Sequence, residues 1–171
     1  MTTTINNSVF ENLHKQEDWL YTNVSELSKI SFDTHKEIDE SCISNYDIAT
    51  DNPLVVFVNG VFQESRSRLI EGMSINADKH ADIYSRSDSQ IPRGNSDRLT
   101  VTSNQNKTIH ILQVITGNKP VAVFGNVLIN ACEGETISIA ETHVAVTDQD
   151  HLFMPCTEIK AENNSCVTLV Q

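Results

Sequence analysis

From Leu99 onward the chain reads almost entirely as strand, and no 3.6-residue hydrophobic period returns. Three stretches fall into one register: "VTSNQNKTIHILQ" (Val101–Gln113), "INACEGETISIAE" (Ile129–Glu141) and "IKAENNSCVTLVQ" (Ile159–Gln171), at offsets of 28 and 30 residues. Each opens on a β-branched residue, Val101, Ile129 or Ile159. Five positions on stands Asn106, Gly134 or Asn164, the residue types that accept a left-handed backbone. Thr108, Thr136 and Cys166 follow. Then comes an aliphatic pair at spacing two: Ile109 and Ile111, Ile137 and Ile139, Val167 and Leu169. Residues two apart in a strand share a face, so each pair points one way.

A repeat of this length without helices inside it predicts a β-solenoid, in which equivalent residues stack into columns. The expected interior columns are Ile109/Ile137/Val167 and Ile111/Ile139/Leu169. Burying those six side chains contributes about 10–15 kcal/mol in gross terms, an upper bound because unfolded chains already bury some surface. His110 shares a column with Ser138 and Thr168 and is expected to face outward.

Ahead of the repeats the pattern differs. "INNSVFENLHKQ" (5–16) predicts a short helix capped by Asn6, Asn7 or Ser8, with Val9, Phe10 and Leu13 on one stripe. Asn23 or Ser25 is expected to cap a further helical turn carrying Leu27 and Ile30. Residues 33–52 read as a polar connector with a brief helix near Ile38–Ile43. "LVVFVNGVF" from Leu54 predicts a β-hairpin, because Asn59-Gly60 supplies the positive φ angles of a type I′ turn. Residues 63–98, with "SRSDSQIPRGNSDR", read as a long polar loop. The expected division is therefore 1–52, helical region and connector; 53–98, hairpin and loop; 99–171, repeats.

Composition narrows the chemistry. The chain has 171 residues, a 39% hydrophobic fraction, 6% aromatics and a single tryptophan, Trp19, so its core must be aliphatic. Net charge is −11, from 12 basic and 23 acidic residues. That argues against nucleic acid and anionic membrane surfaces and fits solubility or a basic protein partner better. "MTTTINNSVF" lacks the basic start and apolar run of a signal peptide, and no run is long enough to cross a bilayer. A cytoplasmic chain with reduced thiols is expected, so the sequons at Asn106 and Asn163 carry no meaning. Cys42, Cys132, Cys156 and Cys166 form no C-x-x-C pair and are expected to be buried and structural.

Glu141 and His143 lie on one face, the spacing of a metal or acid–base pair. Glu141, however, shares its column with Gln113 and Gln171, so the position wants a polar group at the end of a repeat rather than a carboxylate. His151, in "DQDH", is expected in solvent. The residues assign no catalytic group, metal or cofactor. No Gly-Lys-Ser/Thr loop grips phosphate, and the dispersed cysteines do not match a protein-built cluster site. The alternative is a β-solenoid or cupin-like enzyme, metal-dependent or carbohydrate-acting, that uses Glu141 and His143, with His151 a further candidate.

Several stretches resemble the SufB/SufD family of iron–sulfur cluster assembly scaffolds, the SufD branch most closely. "EDWLYTN" is similar to the Glu-Asp-Trp-Lys-Tyr-Thr segment near the family's start, and "LVVFVNGVF" to its Val-Phe-Val-Asn-Gly segment. "TIHILQV", "NVLINACEGETISIAETH" and "CTEIKAENNSCVTLVQ" resemble the successive rungs of its core, in family order across most of Glu17–Gln171. The resemblance departs where many members read Pro-Arg-Asn-Leu-Ile and this chain has Gly125-Asn126-Val127-Leu128-Ile129, and where a common Asn is Met154. It implies an N-terminal helical region followed by a right-handed parallel β-helix. It also implies a non-enzymatic scaffold role beside a SufB-like subunit and a SufC-like ATPase. Family members are about twice this length or more. The expectation is therefore a truncated N-terminal part, without the ATPase-docking region and able to self-associate through an open last rung.

Overall fold

A computed structural model of the chain describes residues 24–33, 46, 51–76, 97–103 and 105–171. The expected helices at 5–16 and Ile38–Ile43, Trp19, Cys42 and most of the loop before Arg98 lie outside the described residues. The described chain is mainly β, with nine strands: β1 Leu54–Val58, β2 Val61–Phe62, β3 Met73–Asn76, β4 Arg98–Val101, β5 Thr108–Ile115, β6 Val121–Ala131, β7 Thr136–Ala145, β8 His151–Ala161 and β9 Cys166–Val170. They form two mixed sheets. One has the order β2-β1-β5-β7-β9 and the other β3-β4-β6-β8, and neither closes on itself. From β4 on, successive strands alternate between the sheets. Each pairs in parallel with the strand two further along the chain. Only β2 and β3, at the first edges, run antiparallel to their neighbours.

The hairpin forms as its sequence dictates. Asn59 (φ 49°) and Gly60 (φ 76°) take the left-handed conformation between β1 and β2. The Asn59 side chain does more than turn the chain. Its Nδ2 donates to the Thr116 carbonyl at 2.9 Å and its Oδ1 accepts from the Thr116 amide at 3.0 Å, in a buried setting. This pair of hydrogen bonds ties the hairpin to the residue just past the end of β5. Asn59→Gly keeps the turn accessible but removes both bonds, and is expected to cost about 2 kcal/mol in urea unfolding.

The three corners also behave as their residues predict. Asn106 (φ 61°), Gly134 (φ 75°) and Asn164 (φ 60°) are all left-handed. The second and third corners bond to each other, through Gly134 N–H to the Asn163 carbonyl at 3.2 Å and Glu162 N–H to the Ala131 carbonyl at 3.0 Å.

The register is as expected in one sheet and corrected in the other. Val101 pairs with Ile129 and Ile129 with Ile159, as the alignment requires. In the facing sheet Ile109 pairs with Ile139 rather than Ile137, and Ile111 with Glu141 rather than Ile139. Ile137–Val167 and Ile139–Leu169 pair as expected. The cause is the first corner. Val101 to Thr108 is two residues shorter than Ile129 to Ser138, the segment that pairs alongside it. Two consecutive left-handed residues, Gln105 (φ 49°) and Asn106, make that tighter bend. A slip of two keeps every side chain on its own face, so the aliphatic pairs stay inside.

The core draws on both sheets. Val55, Phe57, Ile109, Ile111, Ile137 and Ile139 from one meet Leu99, Val101, Val127, Ile129 and Ala131 from the other. A smaller cluster of Ile115, Val121 and Val123, with Phe153 against it, continues the packing toward the other strand ends. The outer face of the β6/β8 sheet is covered by Val24, Leu27, Ile30 and Phe32, which pack on Ala122, Phe124, Leu152 and Met154. The apolar stripe expected at Leu27 and Ile30 is thus used. Its backbone, however, is a 3₁₀ turn at Ser25–Lys29, with Val24 at the N-cap and no side-chain cap bond. The expected Ser25 cap is therefore corrected: Ser25 lies inside the turn, where its carbonyl accepts from Ser28 Oγ at 2.6 Å.

The loop expected over 63–98 is corrected in part. It holds a 3₁₀ turn at Glu64–Arg66 and the strand β3, whose four residues pair with β4. Gly72 enters β3 at φ 88° with its carbonyl accepting from Thr102 N–H at 2.7 Å. That bond carries the β3–β4 pairing one residue past the end of β4.

Candidate functional site

Glu141 is not at a solvent-facing end of a repeat. It stands inside β7, a residue 5% exposed overall, with its side chain 1% exposed. Three side chains converge on it. His143 Nε2 lies 3.1 Å from Glu141 Oε1, and Gln171 Nε2 donates to Oε2 at 2.9 Å. Gln113 Nε2, from β5, donates to Oε1 at a long 3.5 Å. The Gln113/Glu141/Gln171 grouping read from the repeat therefore exists as hydrogen bonds. In the strand register, Gln113 lies beside His143 and Glu141 beside Ile111.

Local sequence explains how these residues meet. Glu141 and His143 are two apart on β7, and Gln113 is two beyond Ile111 on β5, so all three share the face of the aliphatic pairs, with Gln113 and Glu141 buried and His143 exposed. Space for them comes from Gly125 on β6. A Cβ there would stand 3.0 Å from Gln113 Nε2 and 3.4 Å from the Phe153 ring. Phe153 packs edge-on against the His143 ring at a centroid distance of 4.5 Å and 70°. The polar node thus sits beside aliphatic packing.

Its electrostatics are sparse. Among the described residues, His143 is the one ionisable group within ion-pair distance of Glu141. Gln113 is 2% exposed, and its Oε1 has no hydrogen-bond partner. A buried carboxylate needs a compensating donor set or a positive charge, and a buried amide oxygen needs a donor. His143, with its side chain 29% exposed, connects the node to solvent.

The remaining sequence candidates lie elsewhere. His151 is the first residue of β8 rather than a loop residue. It is exposed, and its Nδ1 lies 3.4 Å from the Gln149 carbonyl. The expectation of buried cysteines is corrected for two of them: Cys132, in the corner after β6, and Cys166, opening β9, are exposed thiols. Cys166 pairs with exposed Thr136, so it lies on the face turned away from the aliphatic pairs. Cys156 is partly buried in β8.

A concavity of about 200 Å³ lies beside Leu54, Val56, Leu112 and residues 65–68. Ser67 at its rim is committed to structure, accepting from Val56 N–H at 2.9 Å and donating to the Gln63 carbonyl at 2.7 Å.

Among the described residues no group of three or more His, Cys, Asp or Glu is placed to hold a metal ion, and no helix is long and apolar enough to cross a membrane. The residue most easily missed in sequence is Gln113, which looks like a polar strand end but supplies the unpartnered buried oxygen. The chain matches no protein-family model, no curated protein and no solved structure.

Proposed function

We propose that this chain is the early part of a right-handed parallel β-helix scaffold of the SufB/SufD kind. In this reading it works in the cytoplasm through protein contacts rather than catalysis. Its partners are a SufB-like subunit and, in the complete assembly, a SufC-like ATPase. Support comes first from the strands themselves, which alternate between two sheets with repeated parallel registers. The motif resemblance runs along the same strands.

One observation carries the scaffold reading: the two ends of the paired sheets differ. At one end β2 and β3 are short antiparallel strands that terminate the parallel pairing. At the other, among the described residues, β8 and β9 have no strand on their outer sides. Ile159 on β8 is 47% exposed and Val170 on β9 is 61% exposed. Edge strands with exposed apolar residues pair with other chains unless charge or proline blocks them.

The test is sedimentation velocity of the wild type and of an Ile159→Lys/Val170→Lys double variant, alone and mixed with a SufB-like protein. Because both positions are exposed, the variant is expected to keep its far-UV circular dichroism. The wild type is expected to self-associate at high concentration and to bind the partner, and the variant to lose both. A wild type that stays monomeric at high concentration and ignores the partner would overturn the reading.

A further inference from the structure

The geometry points to a binding site for one divalent transition-metal ion, of the zinc or cobalt class, at Glu141, His143 and Gln113. The proposal is independent of the scaffold reading and departs from the expectation that the chain holds no metal. It starts from an imbalance. Glu141 is a carboxylate with a 1% exposed side chain, and the one ionisable neighbour among the described residues is an imidazole. Gln113 buries a carbonyl oxygen that no donor meets. A cation between Glu141 and His143 would add the positive charge that the amide donors of Gln113 and Gln171 do not carry, and would give the Gln113 oxygen a partner once its amide turns toward the site.

The distances suit an ion. Zinc binds imidazole nitrogen and carboxylate oxygen at about 2.0–2.2 Å, so two donors on a tetrahedral ion stand about 3.3 Å apart. His143 Nε2 and Glu141 Oε1 stand 3.1 Å apart. Gln113 becomes the third ligand by a half-turn of its terminal amide. That motion exchanges a 3.5 Å hydrogen bond for an oxygen directed at the ion. The surrounding shell is already built. Gln171 Nε2 holds the other carboxylate oxygen at 2.9 Å, and the edge of Phe153 fixes the imidazole plane. The partly exposed side of His143 is the route in from solvent, and the missing Cβ of Gly125 is what lets the Gln113 amide reach the site. On binding, neutral His143 carries its proton on Nδ1 and gives its Nε2 lone pair to the ion. The mixed nitrogen and oxygen donor set favours zinc, cobalt or nickel over calcium or magnesium.

The chain of residues 1–171 is equilibrated with Zn²⁺, dialysed, and its metal content measured by mass spectrometry beside Glu141→Gln and His143→Ala. The wild type is expected to retain one more ion per chain than either variant. Gln171→Ala is expected to bind tenfold or more weakly. Co²⁺ at the same site should give d–d absorption without an intense thiolate charge-transfer band. ¹⁵N NMR should show His143 Nε2 shifting on Zn²⁺ addition. Should Glu141→Gln fail to fold, His143→Gln at the partly exposed position carries the comparison. Equal metal content in wild type and variants, a thiolate band, or a His143 resonance unmoved by Zn²⁺ would each overturn the proposal.

Discussion

Phe57→Ala is expected to lower the unfolding free energy by about 3–5 kcal/mol, among the largest losses available to any single substitution here. Phe57 is 1% exposed and sits in the cluster where both sheets meet. Its ring meets Phe62 edge-on at 6.1 Å and 60°, across the β1–β2 pairing. With aromatics so scarce, few side chains could relax into the vacated volume, so a cavity should persist. Urea unfolding followed by circular dichroism measures the change. A loss under 1 kcal/mol would mean that the core at β1 is far looser than its burial indicates.

Gly72→Val should be nearly as damaging, at about 4 kcal/mol, for a backbone reason rather than a core one. Gly72 has φ 88°, a conformation that a β-branched residue does not adopt without strain. A Cβ at that position would also stand 2.8 Å from Ser103 Cβ and 2.9 Å from Ser103 N. Backbone cannot swing aside as a side chain can, so β3 must part from the end of β4 or shift along it. The bonds from Thr102 N–H and Oγ1 to the Gly72 carbonyl, at 2.7 and 3.0 Å, would be strained first. The same unfolding measurement checks this, with Ser74→Ala on exposed strand surface as a near-neutral control.

What could be read from sequence was mostly what local chemistry determines. Asn59-Gly60 announces its turn because few residues tolerate positive φ. Asn106, Gly134 and Asn164 announce their corners for the same reason. The inward pairs on β5, β7 and β9 follow from period two, which survives any even shift. That tolerance is why the register of β5 against β7 could not be read. Ile109 sits equally well beside Ile137 or Ile139, and the arbiter is the bend at Gln105 and Asn106, whose length shows only against its neighbour. β3 escaped notice because Met-Ser-Ile-Asn is short and half-buried, and its strand character comes from pairing with β4.

The node at Glu141 was half legible. Its membership with Gln113 and Gln171 followed from the repeat, but its burial did not. Whether a carboxylate faces water or protein depends on what lies across the gap. Here that is Gly125 and Phe153, at positions of β6 and β8 that precede the aligned repeat stretches. The exposed Cys132 and Cys166 carry the converse lesson. Cysteine's general liking for interiors yields at Cys166 to strand parity, which assigned the inner face to Val167 and Leu169, and at Cys132 to its place in a solvent-facing corner.

Burial falls off in one direction along the sheet that holds β5, β7 and β9. β5 is covered along nearly its whole length, β7 at alternate positions, and β9 nowhere fully. Parallel strands added one upon another lend stability mainly to their immediate neighbours. The molecule should therefore behave as a zipper pinned at the hairpin. Thermal breathing would begin at Cys166–Val170 and travel back toward Asn59, and whatever clasps the free end would quiet the fluctuations of every strand behind it.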